Sequence, residues 1–577
     1  MKSKWILQET DADLALMSKV LQVNPITANI MANRGIRTKK TALNYLNASL
    51  DASYDAEAIK GMPEAIKLIT DAIKNSTKIV VYGDYDVDGI MATTILLKTL
   101  QYMEANVDYY IPHRIDEGYG LNIDAIKHLH ASGAEIILTV DNGISAIEEI
   151  PIAKELGMKV IVLDHHDPGF TMSEDGRVDI LPIADIIIDP KQLDCPYPFN
   201  ELCAGGLAYK LAISLCEMPS ELHDEILTLA AIATICDIVH LQDENRIIVK
   251  EGLIKLNAHK LINPGLGSLI TARGYLDKPI DTFAVGFVIG PCLNASGRLG
   301  SASTSVELLL AKKTEDRIRL TEELCRFNEE RKKLTAECVD RATENLPKLL
   351  DKVLILTDAN AHESVAGIVA GRIKESTGRP TIFITQGGNA MKGSGRSIEG
   401  YNLFEALYEN RHLLQRFGGH PMAAGLTLLK KNIPILREAL NTSCDLTEDD
   451  FAIVINIDRE LVAADISLQL SEELKKLAPY GKGNKEPLFV CKNFYVENCR
   501  AINEKNTLIF TFSADGIRYK GIAFGLNEDY ALACIDACVK PIGGYNMDVV
   551  FTLETNVYNG NATVQLRVRD FRITPPV

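Results

Sequence analysis

Three acids at alternate positions, Asp84, Asp86 and Asp88, stand where the apolar run Ile79–Tyr82 gives way to glycine and then, from Gly89, to helical spacing. The pattern IVVYGDYDVDG predicts a buried strand, a turn that carries the acids, and a helix. Carboxylates this close raise one another's pKa unless a cation lies between them, and a hard divalent ion is the natural occupant. A solvated turn is the alternative, because Asp and Gly are both common in turns. The downstream segments bear on that choice.

From Lys78 the chain alternates strand and helix: IVVYGD and a helix, VDYYIP and a helix from Asn122, EIILTVDNG and a helix, then MKVIVLDHHD. That alternation predicts a parallel sheet with helices on both faces, whose strand ends share one crevice. Asp84, Asp86 and Asp88 would end the first strand, Asp141 a later one, and Asp164, His165 and His166 the next. Asp237 closes the apolar helical run LTLAAIATICDIV, where an acid needs a partner or a metal. Singly, Asp141 reads as a helix cap and His165 as an ordinary histidine. Jointly they read as a metal cluster, and carboxylates with imidazole but no cysteine suit Mn²⁺ or Mg²⁺ better than structural zinc. Two ions sharing bridging carboxylates is the favoured form. No GxSxG, Cys/His or P-loop signature accompanies the cluster.

The 577 residues suggest three or four domains. A net charge of −16 argues against a generally basic nucleic-acid coat and leaves room for a local basic groove. Twelve cysteines without a CxxC pair fit reduced thiols. No apolar run approaches the roughly 18 residues of a membrane span, and a cytoplasmic protein is expected. Residues 1–60 read as short helices, with Arg34, Arg37, Lys39 and Lys40 on a solvated face. After Ser301, Leu320, Leu324, Phe327, Leu334 and Cys338 recur at helical spacing. One helix of about 30 residues would reach roughly 45 Å and could join two lobes. Another α/β unit begins at 351, with GSGRS (Gly393 to Ser397) and GGHPMAAG (Gly418 to Gly425) rich in small residues that are explained by tight turns or by backbone approach to phosphate. The last segment has many short strand-like runs and predicts a β-barrel, in which Tyr480, Phe489, Phe510, Tyr519 and Phe524 either fill the core or stack bases.

The stretches GDYDVDG, TVDNGI, LDHHD and ATICDIV resemble the four successive motifs of the DHH phosphoesterase superfamily. IPHRIDEGYG (Ile111 to Gly120), LNASGRLGSA (Leu293 to Ala302) and GGHPMAAG resemble its single-stranded-DNA-specific exonuclease members. Tyr82 departs from part of the superfamily, where a histidine ligand precedes the acids. The resemblance implies an α/β fold: a parallel-sheet DHH domain and a smaller DHHA1 domain joined by a long helix, then an OB-fold barrel. The expected divisions are 1–60, 61–300, 301–350, 351–443 and 444–577. By position it implies that Asp84, Asp86, Asp88, Asp141, His165 and Asp237 bind two divalent cations, Mn²⁺ or Mg²⁺, with His166 at the phosphate. Arg114, Arg298, Ser394, Arg396, Gly419 and His420 would grip substrate. The implied activity is exonucleolytic hydrolysis of single-stranded DNA from the 5′ end to mononucleotides, in repair and recombination. A single-strand-binding protein and a helicase are the expected partners of a monomer. Two rivals stand beside this: a phosphoesterase for short oligonucleotides or cyclic dinucleotides, and a non-catalytic single-strand-binding protein of replication.

Overall fold

The computed structural model describes residues 3–173, 176–347, 349–387, 390–502, 507–525 and 545–574. They fall into two compact units, one of Ser3 with the described residues of 54–239 and 251–453, the other of the described residues of 4–53, 240–250 and 454–577.

The first unit opens on a five-stranded sheet in the order Val107–Tyr110, Ile79–Tyr82, Ile136–Val140, Lys159–Leu163, Ile186–Ile188. Every pairing is parallel. Numbered along the chain the order is 2-1-3-4-5, so the connections leave strands 1 and 3 in opposite directions, and a crevice opens between their carboxyl ends. All four residues of Ile79–Tyr82 and all five of Ile136–Val140 are buried, as strands covered on both faces must be. On one face, Val80, Ile137 and Val162 pack with Ile126 and Ile150. Helix Val87–Tyr102 packs with helices Ala204–Leu215 and Ser220–Cys236. Asp86 caps helix Val87–Tyr102, its side chain accepting from the Asp88 and Gly89 amides at 2.9 and 3.2 Å.

The long helix runs Thr314–Glu344, 31 residues, with Leu320, Leu324, Phe327 and Cys338 buried as the heptad-like stripe requires. It lies against helix Gly290–Leu299 of the first lobe and helix Ala366–Thr377 of the second. The second lobe is a mixed five-stranded sheet in the order Leu414–His420, Ala423–Leu428, Ala390–Arg396, Thr381–Gly387, Leu354–Thr357, with only the last two strands parallel. GSGRS therefore lies mainly in a strand, ending at Arg396, rather than in the tight turn that its glycines suggest. GGH closes the edge strand, and the chain turns back through Pro421 and Met422. Gly419 has a φ of 142°, and a Cβ there would lie 2.6 Å from the Ala424 Cα, so the position demands glycine.

In the second unit the strands Phe489–Ile502, Thr507–Ala514, Ile517–Phe524, Asn561–Thr574 and Tyr545–Tyr558 are neighbours in that order, and the last pairs back on the first to close a barrel. Phe489, Phe510 and Tyr519 are buried in its core, so three of the five aromatics considered for base stacking serve packing instead. Tyr480 is half-buried and donates to the Leu474 carbonyl at 2.6 Å, while Phe524 is exposed. Residues 1–60 do not stand apart. Ile26, Ile30 and Met31 of helix Pro25–Asn33 enter the same apolar core as Phe489 and Phe510. Strand Ser3–Leu7 pairs with Ile453–Ile457. Arg34, read as solvated, bonds Tyr45, Asn484 and the Lys485 carbonyl, and Arg37 pairs with Asp11 at 3.0 Å. Arg246, only 1% exposed, is satisfied by the carbonyls of Tyr45, Lys476, Leu477, Ala478 and Pro479. A guanidinium offers five donors, and here they tie the loop before the barrel to the N-terminal helices.

Candidate metal centre and substrate cleft

At the crevice between strands 1 and 3 the structure gathers the acids that the strand ends supply. Asp84 and Asp88 follow the first strand and Asp141 the third; all three are buried. Asp141 has a φ of +65°, a conformation that Asp and Asn tolerate better than other side-chain-bearing residues, and its carbonyl accepts the Tyr119 hydroxyl at 2.8 Å. Asp88 faces the amino end of helix Ala204–Leu215 and accepts the Ala204 and Gly205 amides at 2.8 and 2.7 Å. A Cβ on Gly205 would come within 3.1 Å of the Asp88 carboxylate and collide with Ala233, so glycine permits this approach. Asp237, at the carboxyl cap of helix Ser220–Cys236, joins from the other side.

His165 Nε2 sits 3.1 Å from Asp141, 3.6 Å from Asp88 and 3.8 Å from Asp237. Ligand atoms lie within 4.8 Å of one another in three sets: Asp84, Asp86 and Asp141; Asp88, His165 and Asp237; Asp141, His165 and His166. Asp141 recurs in two of them, which suits a carboxylate shared between two ions. All six expected ligands are thus brought together.

Electrostatics fit a cation. Burial, then repulsion from neighbouring acids, pushes Asp84, Asp141 and Asp237 up, and Asp88 to about 6. Burial and the neighbouring His166 depress His165 to about 3, leaving a neutral imidazole suited to ligation. The Asp84 Oδ1 is buried with no hydrogen-bond partner, an orphan acceptor that a divalent ion would satisfy. Hard oxygen donors with one imidazole match Mn²⁺ or Mg²⁺.

Asp164 is not aimed at the cluster. It accepts the amides of Ile144, His165 and His166 and the His166 Nδ1, the last at 2.7 Å. Burial opposes its ionisation, but His166 and these donors hold it at about 2; His166, despite its own burial, is raised by Asp164 to about 9. A cationic His166 therefore stands at the rim beside the Tyr119 hydroxyl, 3.3 Å away. Tyr82 lies outside the ligand set: its hydroxyl donates to the Gly120 carbonyl at 3.1 Å and tethers the loop that carries Arg114.

Arginines lie within electrostatic reach of the acids, Arg114 of Asp84 and Arg298 of Asp86. Arg298 donates to the Ser364 carbonyl at 2.7 Å and is pressed down to about 9 by burial and by Arg114, Arg331 and Arg396. Arg396 donates to Ser394 Oγ at 3.2 Å and to the Gly395 carbonyl. Arg114 lies 4.6 Å above the Tyr85 ring. Guanidinium groups whose charges bear on one another, with Arg114, Arg298 and Arg396 in no ion pair among the described residues, form a ready site for phosphate. A cleft of about 1020 Å³ between the two lobes is lined by Arg114, His166, Ser394, Gly419 and His420. Tyr119 and Arg416 also line it and were absent from the sequence-based set. Tyr119 lies in the same loop as Arg114 and could have been named from it; Arg416 carries no such signal.

These features define a two-lobed phosphoesterase with a DHH domain, a DHHA1 domain and a nucleic-acid-binding type of barrel. Comparison with known families agrees: the DHH family N-terminal domain matches residues 78–234, the DHHA1 domain 350–445 and the RecJ OB domain 457–570. The chain is 36% identical to the single-stranded-DNA-specific exonuclease RecJ of Bacillus subtilis, over 99% of this chain and 71% of that one. It is 30% identical to the Escherichia coli protein of the same name, over 94% and 95% of the two chains. The crystal structure of Thermus thermophilus RecJ in complex with Mn²⁺ superposes with a TM-score of 0.83 at 29% identity, covering 100% of this chain and 80% of that one. The chain belongs to the RecJ family.

Proposed function

We propose that the protein is a metal-dependent exonuclease that hydrolyses single-stranded DNA from the 5′ end to mononucleotides, in DNA repair and recombination. The observation that carries the reading is a cluster of acids with His165 and His166 at the sheet's switch point, adjoining a cleft that His166 lines together with Arg114, Ser394 and His420. Asp84, Asp86, Asp88, Asp141, His165 and Asp237 would hold two divalent cations, Mn²⁺ or Mg²⁺. Bound there, the cations supply Lewis-acid activation of water and neutralise charge on the scissile phosphodiester.

The chain's own residues do the rest. Arg114, Arg298 and Arg396 hold the terminal phosphate by guanidinium donation, the Ser394 hydroxyl adds one further donor, and together they set polarity. Gly419 lets the backbone approach the strand, and His420 donates to the phosphate about to be cut. His166, kept cationic by Asp164, stabilises the charge that develops on the phosphoryl oxygens. Tyr119 fixes the Asp141 backbone. The functional divisions we assign are 61–300 for catalysis, 301–350 for the connecting helix, 351–443 for substrate grip and 444–577 for strand binding, with 4–53 in the same compact unit as the barrel. We place the protein in the cytoplasm as a monomer that receives strands from a helicase and a single-strand-binding protein; no helix among the described residues is long and apolar enough to cross a membrane.

A phosphoesterase for short oligonucleotides or cyclic dinucleotides would not need the barrel, and a non-catalytic binding protein would not need an intact ligand set. The test is to incubate strands labelled at either end, single or double, with Mn²⁺, Mg²⁺ or EDTA. Metal-dependent release from the 5′ end of single strands is expected. Cutting confined to dinucleotides, or none in any metal, would overturn the reading.

A further inference from the structure

Ten cysteines among the described residues are free, and two of them meet where helix Gly290–Leu299 packs on the long helix Thr314–Glu344. Cys292, on the shorter helix, is fully buried, and Asn328 of the long helix donates to its sulfur at 3.3 Å. Cys325 precedes Asn328 by three residues, so it shares that face of the long helix, and it is half-buried. The Cys292 thiol has two acceptors in reach, the Val288 carbonyl at 3.4 Å and the Cys325 sulfur.

The two sulfurs are unlike. The hydrogen bond from Cys292, with the charge and donors of Arg273, holds the Cys325 thiol down at about 6 against partial burial and the charge of Glu329. The same bond, burial and the Cys325 charge push Cys292 up, and Arg273 and Lys332 offset only part of that rise. Arg273 Nε is a buried donor with no hydrogen-bond partner among the described residues, which favours an anion beside it. A thiolate next to a protonated thiol is the pairing of an attacking sulfur with a resolving one. The contact also reaches the substrate arginines. Asn328, bonded to Cys292, accepts Arg331 Nη2 at 2.9 Å, and the Arg331 charge bears on Arg298. Arg298 itself stands on the helix that carries Cys292.

We propose that Cys325 and Cys292 form a peroxide-reactive thiol pair whose oxidation to a disulfide weakens the grip of Arg298 on the substrate phosphate. The effect on substrate rests on the functional reading above; the disulfide does not. The Cys325 thiolate attacks one oxygen of hydrogen peroxide: an S–O bond forms, the O–O bond breaks, and hydroxide leaves and takes up a proton to become water. The Cys292 sulfur then attacks the sulfenic sulfur: the S–S bond forms, the S–O bond breaks, and the oxygen departs as water with the Cys292 proton. The two thiols lose two electrons and the peroxide becomes two waters, and a dithiol reductant reverses the change. Sulfurs in hydrogen-bond contact must close to about 2.05 Å, which draws the helix that carries Arg298 along the long helix. A shift of about 1 Å in a group that positions substrate is enough to lower the rate.

The test treats the reduced full-length protein with hydrogen peroxide, removes the excess with catalase, blocks remaining thiols with iodoacetamide and maps the digest by mass spectrometry. Peptides joined through Cys292 and Cys325, about 2 Da lighter than their two thiol forms, are expected before oxidation of the half-buried Cys195 or Cys216. In Cys292→Ala the reaction should stop at a sulfenic acid on Cys325, trapped by dimedone. The oxidised wild type should show a KM for 5′-phosphorylated single strands raised about threefold or more, restored by dithiothreitol, while Cys325→Ser should keep the KM of the reduced protein after the same treatment. Oxidation of Cys195 or Cys216 without the joined peptides would overturn the pair, as would peroxide inhibition that persists in Cys325→Ser. An unchanged KM in fully cross-linked protein would overturn the link to Arg298. Failure of the functional reading is seen separately: a reduced protein that cuts no single strand refutes that reading and the effect on substrate with it, while the mass of the joined peptides decides the thiol chemistry.

Discussion

Replacing Asp141 by Asn separates a metal ligand from a structural residue, because the two roles predict opposite signs. Asn tolerates the left-handed backbone at 141 and nearly preserves shape. What it removes is charge. Asp141 shares a space of 4.8 Å with Asp84 and Asp86. Two full charges that far apart repel by roughly 3–4 kcal/mol at an effective dielectric near 20, part of which protonation relieves. Burial and these neighbours raise the Asp141 pKa, so ionising it costs the native state. That cost is absent below the unfolded carboxylate value near 3.9 and is felt in full once the pH exceeds the raised native value. Without metal, Asp141→Asn should therefore be more stable than wild type at pH 7.5, by about 1–3 kcal/mol and a few degrees in Tm, and the gap should close as the pH falls toward 4. With Mn²⁺ the order should reverse. An ion at 100 times its Kd stabilises by about 2.7 kcal/mol, and the variant should forfeit most of this and about 10³-fold or more in kcat. Differential scanning fluorimetry at pH 5 and 7.5, with Mn²⁺ or EDTA, reads all four corners. A variant less stable than wild type in EDTA, yet with an undiminished Mn²⁺ shift, would show that Asp141 is structural.

Arg114→Ala should leave kcat near normal and erase the preference for a 5′-phosphate; a preserved preference in competition between phosphorylated and unphosphorylated strands would remove Arg114 from the terminal site. Gly205→Ala forces helix Ala204–Leu215 off Ala233 and off Asp88, so it should cost about 1–3 kcal/mol in urea unfolding and weaken the Mn²⁺ shift as well. Asp164→Asn removes a carboxylate that His166 and the surrounding donors hold down at about 2, worth roughly 2–3 kcal/mol; because a depressed acid stabilises above the unfolded pKa, the deficit should be full at pH 5–8 and vanish as the pH falls toward 2. His166 reports the same ion pair with a larger shift, but Asp237 and Asp86 contribute to it, so the acid is the better gauge. Arg246→Ala strips donors from five carbonyls and should destabilise the unit that contains the barrel by at least about 3 kcal/mol, seen as a lowered transition in calorimetry.

The convergence of the candidate ligands was legible because their positions follow from one rule: in a parallel sheet the carboxyl ends of different strands converge, so acids that end separate apolar runs must meet. Asp84, Asp141 and His165 needed only strand boundaries to be placed together. Asp237 needed more, since a helix end can point anywhere, and its motif supplied what periodicity could not. Arg114, Arg298 and Arg396 came from three distant segments, and only the motifs marked them as substrate grip; that the charges of Arg114 and Arg396 bear on Arg298 follows from tertiary packing. Where side-chain type was the sole guide, the reading was ambiguous for a physical reason. An aromatic in a strand looks the same whether it faces the barrel axis or solvent, and Phe489, Phe510 and Tyr519 face inward. Phe283 and Phe287, spaced four apart, look like one more buried helical stripe, yet both are exposed. The N-terminal segment was opaque for a related reason. Its charges suggested solvent, but Arg34 finds its partners some 450 residues away, at Asn484 and Lys485, and no local pattern encodes a contact of that separation. The same geometry bears on how the barrel can be tested. Cutting the chain before Val454 would strip the cover from Ile26, Ile30 and Met31, so loss of activity in such a fragment would report misfolding of residues 4–53 as much as loss of strand binding. Substitutions on the barrel's exposed face, which leave that core closed, are the perturbation that isolates its contribution.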